Sequence, residues 1–296
     1  MSLNSEIAAT LREITGHTRR ILEGSYQNVN SLLTRANRGD NPPEVAELAE
    51  TVGMMSVKVE AREFALEQKI EELEESIRLR QEFSLIFLII TLSLSVYGFV
   101  VATIMDAGLS EALNPVISMS LSVWLLGVSV VLVYRSGLPL DRFGLTTRRL
   151  WQSVRESLLV TFVVFLCLVT FKLWAVHSLD AFEGQAIFDF GTIDVWFWSY
   201  LFVAPTQEFV GRGVFQSSIQ RMIHGRFRNV WAIVTVSMLF GVLHTFYSMP
   251  LAFAAVVGGI VWGWLYNRHQ TIVGVSISHF LIGNILLLLG FWDVLV

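Results

Sequence analysis

Three polar groups of residues interrupt apolar stretches near the C-terminal end of this chain. In order, they contain Gln207, Glu208 and Arg212, then His244, then His279 and Asn284. Ionisable side chains are costly inside a bilayer, so they are kept mainly where they bind, catalyse or pair with one another. A carboxylate, a guanidinium and two imidazoles are groups that hydrolytic and metal sites use. We therefore expect a buried hydrolytic or metal site built from three membrane segments.

The spacing of these residues leaves structural alternatives open. Glu208 and Arg212 stand four residues apart with the acid first, which is the favourable order for an ion pair on one helix face. Such a pair could equally fix a bend or a helix contact. A single buried histidine is usually a hydrogen-bonded core residue, but His244 and His279 near a glutamate favour metal ligation or acid–base work. Asn284 could donate to an oxyanion or bond a backbone carbonyl.

The composition places these residues in an integral membrane protein. Hydrophobic residues make up 53% of the 296 residues and charged residues 16%, against about 25% charged in soluble domains. The net charge of -4 and the lack of a dense basic cluster exclude a nucleic-acid partner. The single cysteine, Cys167, cannot form a disulfide within the chain.

Seven apolar stretches are long enough to be membrane spans. They lie near residues 83–105, 113–134, 157–178, 195–219, 229–247, 250–267 and 271–294. Lys and Arg are concentrated at 135–155 and 221–228 but missing from 106–111 and 178–194, which alternate along the chain. The positive-inside rule then predicts seven spans, a cytosolic N-terminus and an outside C-terminus. We expect an all-α, polytopic membrane helix bundle in contact with the lipid bilayer.

Three further features of this bundle are predicted. Trp196, Trp198 and Tyr200 are expected in an outer aromatic belt. Lys172 lies within the third stretch and is expected to extend its amine towards the interface. Glycines 258, 259 and 263 in the sixth stretch are expected to allow close helix contact.

The first 80 residues differ in character from the rest. A stripe from Ile7 to Leu32 that is apolar at first and polar later, together with a turn at 37–43, predicts a cytosolic helical hairpin. In its second arm an apolar residue recurs every seven positions, as in a coiled coil; these residues are Val52, Val59, Leu66 and Leu73, with Ile70 and Ile77 at the alternate positions. We therefore predict two domains, 1–80 and 81–296, and a homodimer or partner contact through the first.

Helix rise indicates that the polar groups lie at similar depth. At roughly 1.5 Å per residue, Glu208 lies roughly 20 Å and His244 roughly 22 Å from the cytosolic ends of their spans. The corresponding depth of His279 is roughly 14 Å. The three side chains thus fall within about 10 Å of one another in depth, near the middle of the membrane.

The three groups resemble the motifs of a known family, the CPBP intramembrane proteases (CAAX-protease and bacteriocin-processing, abortive infection type). Residues 207–213, Gln-Glu-Phe-Val-Gly-Arg-Gly, resemble that family's Glu-Glu-x-x-x-Arg motif. Phe240-Gly-Val-Leu-His244 matches its Phe-x-x-x-His motif, and residues 279–284 resemble its final His-x-x-x-Asn motif. The resemblance covers roughly 140–290, in the family's motif order, and leaves out the N-terminal hairpin.

The resemblance implies an intramembrane endopeptidase that acts on a membrane-associated peptide or protein, in a bacterial plasma membrane. A glutamate would activate water, the histidines would hold that water or a metal, and the asparagine would support the oxyanion. The catalytic set would be Glu208, His244, His279, Asn284, Gln207 and Arg212. Zn²⁺ or another divalent ion, if one is used, would be held by Glu208, His244 and His279.

Two departures from the motifs leave the activity open. Gln207 stands at the first glutamate position, and an amide cannot act as a general base. Gly283 stands four residues after His279, so Asn284 comes one position late. The alternative is a catalytically impaired scaffold or sensor that binds membrane peptides and signals through the coiled coil. A transporter is a third class, but the chain has no internal repeat to support it.

Overall fold

A computed structural model describes residues 3–26, 30, 32, 34, 42–108 and 110–295 of the chain. All regular secondary structure in these ranges is helical, which confirms the predicted all-α class. The chain divides into two compact units, Met1–Arg78 and Leu79–Val296.

The described residues of the first unit include a first helix, the first part of a long helix and a small apolar core. Helix α1 spans Leu3–Leu22 and ends before Gly24, whose positive φ of 74° suits a glycine. Helix α2 spans Pro43–Asp106, and its residues up to Arg78 belong to this unit. Ile14, Leu32 and Ala49 form the core. The predicted turn at 37–43 lies, up to residue 41, outside the described residues.

The second unit holds the remaining helices. They are α3 (Ser110–Ser136), α4 (Leu150–Ser178), α5 (Val195–Glu208), α6 (Ser217–Met222), α7 (Arg228–His244), α8 (Met249–His269), α9 (Val273–Leu288) and α10 (Trp292–Leu295). A π-helical segment, Phe209–Gln216, joins α5 to α6. Helix α9 packs against both α4 and α5, and α7 packs along α8.

The apolar helices agree only partly with the seven predicted spans. Among the described residues, four helical stretches are long and apolar enough to cross a membrane: Pro43–Ile104, Met119–Ser136, Leu150–Ser178 and Met249–His269. Helices α7 and α9 are apolar but have 17 and 16 residues, which gives about 24–26 Å against about 30 Å of hydrocarbon. The predicted segment 195–219 is divided into α5, the π segment and part of α6. A helical membrane bundle is confirmed, but the length criterion does not reach seven spans.

Glycines set the close contact of α8 with its neighbours, as predicted. A Cβ built on Gly259 would lie 3.0 Å from that of Ser237 in α7. A Cβ on Gly263 would lie 3.0 Å from Oε1 of Gln216 in the π segment. The small residues therefore bring α8 against the part of the chain that carries the first polar group.

Lys172, which was expected to extend its amine towards the interface, is covered by the segment that follows its helix. Its side chain is buried, and Nζ lies 2.5 Å from Oε1 of Gln185. The same nitrogen lies 4.5 Å from the ring centroid of Phe182. Residues 179–191 return over the end of α4 and supply these partners, and an aromatic face stabilises a desolvated cation.

Candidate active site

The first polar group lies where a regular helix gives way to a wider one. Pro205 inside α5 lacks a backbone N–H and therefore weakens the α-helical ladder. From Phe209 to Gln216 the backbone is π-helical, a rare conformation that is frequent at functional sites. Ser217 contributes by donating its hydroxyl to the carbonyl of Arg212, at 3.3 Å. This π-helical segment was not predicted from the sequence, although Pro205 and the glycines at 211 and 213 indicate an irregular helix.

Glu208 is held in a buried ionic network. Nε of Arg212 donates to Oε2 of Glu208 at 3.3 Å, and Nδ1 of His279 donates to Oε1 at 2.8 Å. The side chains of Glu208 and Arg212 are each 2% exposed. Because both carboxylate oxygens have a partner, the buried charge is compensated. The i, i+4 pairing predicted from the sequence is present, and the hydrogen bond from His279 connects α5 to α9.

The ring of His279 is fixed on several sides. Its Nε2 lies 2.8 Å from the hydroxyl of Tyr200, and its face stacks on Trp262 with centroids 4.1 Å apart. A carboxylate only accepts hydrogen bonds, so Nδ1 carries the proton. In a neutral ring Nε2 then accepts from the Tyr200 hydroxyl. Tyr200 was expected in an aromatic belt, and its hydroxyl takes part in this network.

A cavity of about 90 Å³ lies beside the network, which is room for several water molecules. Helices α2, α3, α5 and α7 and the π segment all contribute to its wall. Its polar lining residues include Gln207, Glu208, Arg212, His244 and Tyr247, and its apolar ones include Leu94, Leu121, Leu125, Leu239 and Phe240. The cavity thus has an apolar wall with a few polar groups, as ligand sites commonly do.

Several residues that line this cavity, including Arg212 through Nη1, have a polar atom without a hydrogen-bond partner among the described residues, and two of these atoms, in Gln207 and His244, lie outside the network. One is Oε1 of Gln207, which is buried. The other is Nε2 of His244, since the hydrogen bond of this ring runs from Nδ1 to the carbonyl of Phe240, at 2.7 Å. A carbonyl only accepts, so Nδ1 carries the proton and a neutral His244 keeps a lone pair on Nε2. That lone pair can accept a proton from a bound water.

The predicted site residues thus fall into two sets. Gln207 and His244 line the cavity, and Glu208 and Arg212 line it while being paired in the network. His279 lies behind, and Phe240 separates the two histidines, with ring centroids 4.5 Å from His244 and 5.6 Å from His279. Asn284 is buried in α9, where its amide donates to the carbonyl of Phe280 at 3.1 Å. Of the two roles considered for Asn284, the structure shows the carbonyl bond.

The donor atoms do not fit a metal ion in this arrangement. Both ring nitrogens of His279 and both oxygens of Glu208 are already in hydrogen bonds. Within the part of the chain that the structure describes, no group of three or more His, Cys, Asp or Glu residues is placed to hold a metal. The chemistry considered below therefore uses protein groups and water.

The part of the chain that carries the three motifs is similar to a known protein family. Residues 189–285 match the family model described as "Type II CAAX prenyl endopeptidase Rce1-like". The match covers about a third of the chain and includes all three motifs. No curated protein and no solved structure matches the chain significantly. Residues 189–285 are therefore similar to the CAAX-protease type, which confirms the family resemblance predicted from the motifs.

Proposed function

We propose that the chain is an intramembrane endopeptidase that cleaves a membrane-associated peptide with a water activated by His244 and oriented by Gln207. The observation that carries the proposal is the pair of unpartnered polar atoms at one cavity, Nε2 of His244 and Oε1 of Gln207. Glu208 is not assigned as the base, because Arg212 and His279 occupy its oxygens. The CAAX-protease type of the domain supports peptide hydrolysis as the reaction.

The proposed step uses both hydrogens of one water. The water donates one hydrogen bond to Nε2 of His244 and the other to Oε1 of Gln207, which leaves an oxygen lone pair for the peptide carbonyl carbon. As the C–O bond forms, His244 takes a proton from the water. When the C–N bond breaks, the same imidazolium returns the proton to the leaving amine. The apolar wall limits access of bulk water, which strengthens these polar interactions.

The proposal is tested by profiling protein N-termini in membranes of cells that express the native chain or one of two variants. New termini should appear with the native chain and be lost with His244→Ala, since a general base contributes about 10²–10⁴-fold to rate. His177→Ala, which changes an exposed histidine at the end of α4, is the matched control and should keep the termini. Equal profiles for the native chain and His244→Ala would overturn the proposal.

A second candidate function is a peptide-binding scaffold or sensor without cleavage. It is favoured by the amide at position 207, where the family motif has a glutamate. Adding Gln207→Glu to the same profiling separates the two functions. Termini that appear only with Gln207→Glu would show an intact cleft in a chain that binds without hydrolysis. In that case, a photoreactive group placed at Leu121 in the cavity wall should capture the bound peptide.

A further inference from the structure

The closest approach around the buried network is between Tyr200 in α5 and Gly283 in α9. A Cβ built on Gly283 would lie 2.3 Å from Cε1 of Tyr200 and 2.9 Å from its hydroxyl oxygen. Real Cβ atoms essentially never approach so closely, so a side chain at 283 and a tyrosine at 200 exclude each other. The tyrosine ring can lie against α9 only because position 283 carries no side chain.

The hydroxyl of Tyr200 has one polar partner in the network, His279. It lies 2.8 Å from Nε2 of His279, and the Tyr200 and His279 rings meet edge to face with centroids 5.6 Å apart. His279 in turn holds Oε1 of Glu208, and Glu208 holds Arg212. Four buried or half-buried polar side chains thus form one chain of hydrogen bonds, with Tyr200 at its end.

We propose that Tyr200 is a positioning residue that fills the space beside Gly283 and holds the His279 ring in place through Nε2. Glu208 accepts from Nδ1–H, so the neutral ring accepts from the tyrosine hydroxyl at Nε2 and is held at both nitrogens. This fixes Glu208 at the end of α5, and Glu208 is the direct neighbour of Gln207 in the cavity wall. Tyr200 and Gly283 therefore act together to hold the amide that orients the water.

The first test observes the histidine ring itself. In ¹⁵N-histidine spectra of the purified chain, with the His279 signals assigned by their loss in His279→Gln, Tyr200→Phe should shift the Nε2 resonance. The Nδ1 resonance should keep its attached proton, because the bond to Glu208 remains. Tyr134→Phe, which changes an 86% exposed tyrosine in α3, should leave both resonances unchanged. An unchanged Nε2 resonance in Tyr200→Phe would overturn the inference.

The second test replaces the two residues, singly and together, and measures thermal unfolding. Gly283→Asn should lower Tm by more than about 4 °C through the clash with the tyrosine ring. Tyr200→Ala should also lower Tm, because it opens a void and leaves Nε2 without a partner. The double variant should lose much less Tm than the sum of the two single losses, since the smaller residue at 200 makes room for the asparagine. Additive losses would contradict the coupling.

A third readout rests on the proposed function. If the chain cleaves peptides, Tyr200→Phe should lower kcat by about tenfold at an unchanged KM, because it misplaces the Gln207 amide without changing the peptide contacts. A raised KM at an unchanged kcat would contradict a positioning role. If the native chain cleaves nothing, the proposed function fails, while the spectra and the thermal unfolding of the single and double variants still decide the role of Tyr200.

Discussion

Oε1 of Glu208 lies 2.8 Å from Nδ1 of His279, although 71 residues separate the two along the chain. This bond joins the first and last motifs through the packing of α5 on α9. The polar residues differ in whether they belong to the network that this bond is part of. Glu208, Arg212, His279 and Tyr200 are hydrogen-bonded to one another in a buried network, although Nη1 of Arg212 has no partner among the described residues. Gln207 and His244 lie outside this network, line the cavity and each have an unpartnered polar atom.

The buried ion pair should contribute strongly to stability. Arg212→Met leaves the Glu208 carboxylate buried with His279 as its remaining partner, which should cost about 3–5 kcal/mol of unfolding free energy. Arg268→Met is the matched control, because the Arg268 side chain is 48% exposed in its ion pair with Glu156 and such pairs contribute about 0–1 kcal/mol. Equilibrium unfolding in detergent micelles compares the two. Equal losses would contradict the assigned role of the buried pair.

The glycines of the π segment provide a matched pair for testing its packing. A Cβ on Gly213 would lie 2.6 Å from the backbone oxygen of Phe143, whereas the nearest atom to one on Gly211 is 3.9 Å away, in Val236. Gly213→Ala should therefore cost about 1–3 kcal/mol, as overpacking does. Gly211→Ala should be neutral or slightly stabilising, since alanine loses less backbone entropy. Thermal unfolding checks both, and a tolerated Gly213→Ala would contradict the packing of this segment.

Metal removal should leave cleavage unchanged. The lone pairs that a divalent ion would need on Glu208 and His279 are used by Arg212, by Nδ1–H of His279 and by Tyr200. Treatment of the purified chain with a strong Zn²⁺ chelator, followed by a peptide-cleavage assay, tests this. Activity that is lost with the chelator and restored by added Zn²⁺ would show that the network rearranges around a metal.

The heptad positions of α2 form a separate candidate contact. Leu66, Ile70, Leu73 and Ile77 are 46–60% exposed within the described chain, so their apolar surface is available to a second copy. Replacing Leu66 and Leu73 together by Ser should weaken self-association at least about tenfold. Phe64→Ser is the control, because Phe64 is 62% exposed but lies off the heptad positions. Mass photometry gives the dimer fraction; equal effects of the two changes would remove the homodimer proposal.

The helical bundle could be predicted from hydropathy, and motif spacing indicated candidate site residues, because both are local properties of the sequence. Helix rise placed Glu208 and His279 at similar depth, and the structure joins them directly. The sequence could not distinguish a residue that lines the cavity from one locked behind it, since that depends on packing between helices. Tyr200 reads as an interfacial aromatic until Gly283 is placed opposite it. The partners of Lys172 could not be predicted from its own helix, because Gln185 and Phe182 belong to the segment that follows it. The predicted membrane orientation stays a prediction.

The most direct test of the central claim is a kinetic double-mutant cycle on His244 and Gln207 with one peptide substrate. If both residues act on the same water, His244→Ala should lower kcat/KM by at least about 100-fold and Gln207→Ala by about tenfold. The double variant should then be no slower than His244→Ala alone, because the amide has no activated water left to orient. Losses that multiply in the double variant, or native activity in His244→Ala, would contradict a water shared between these two residues.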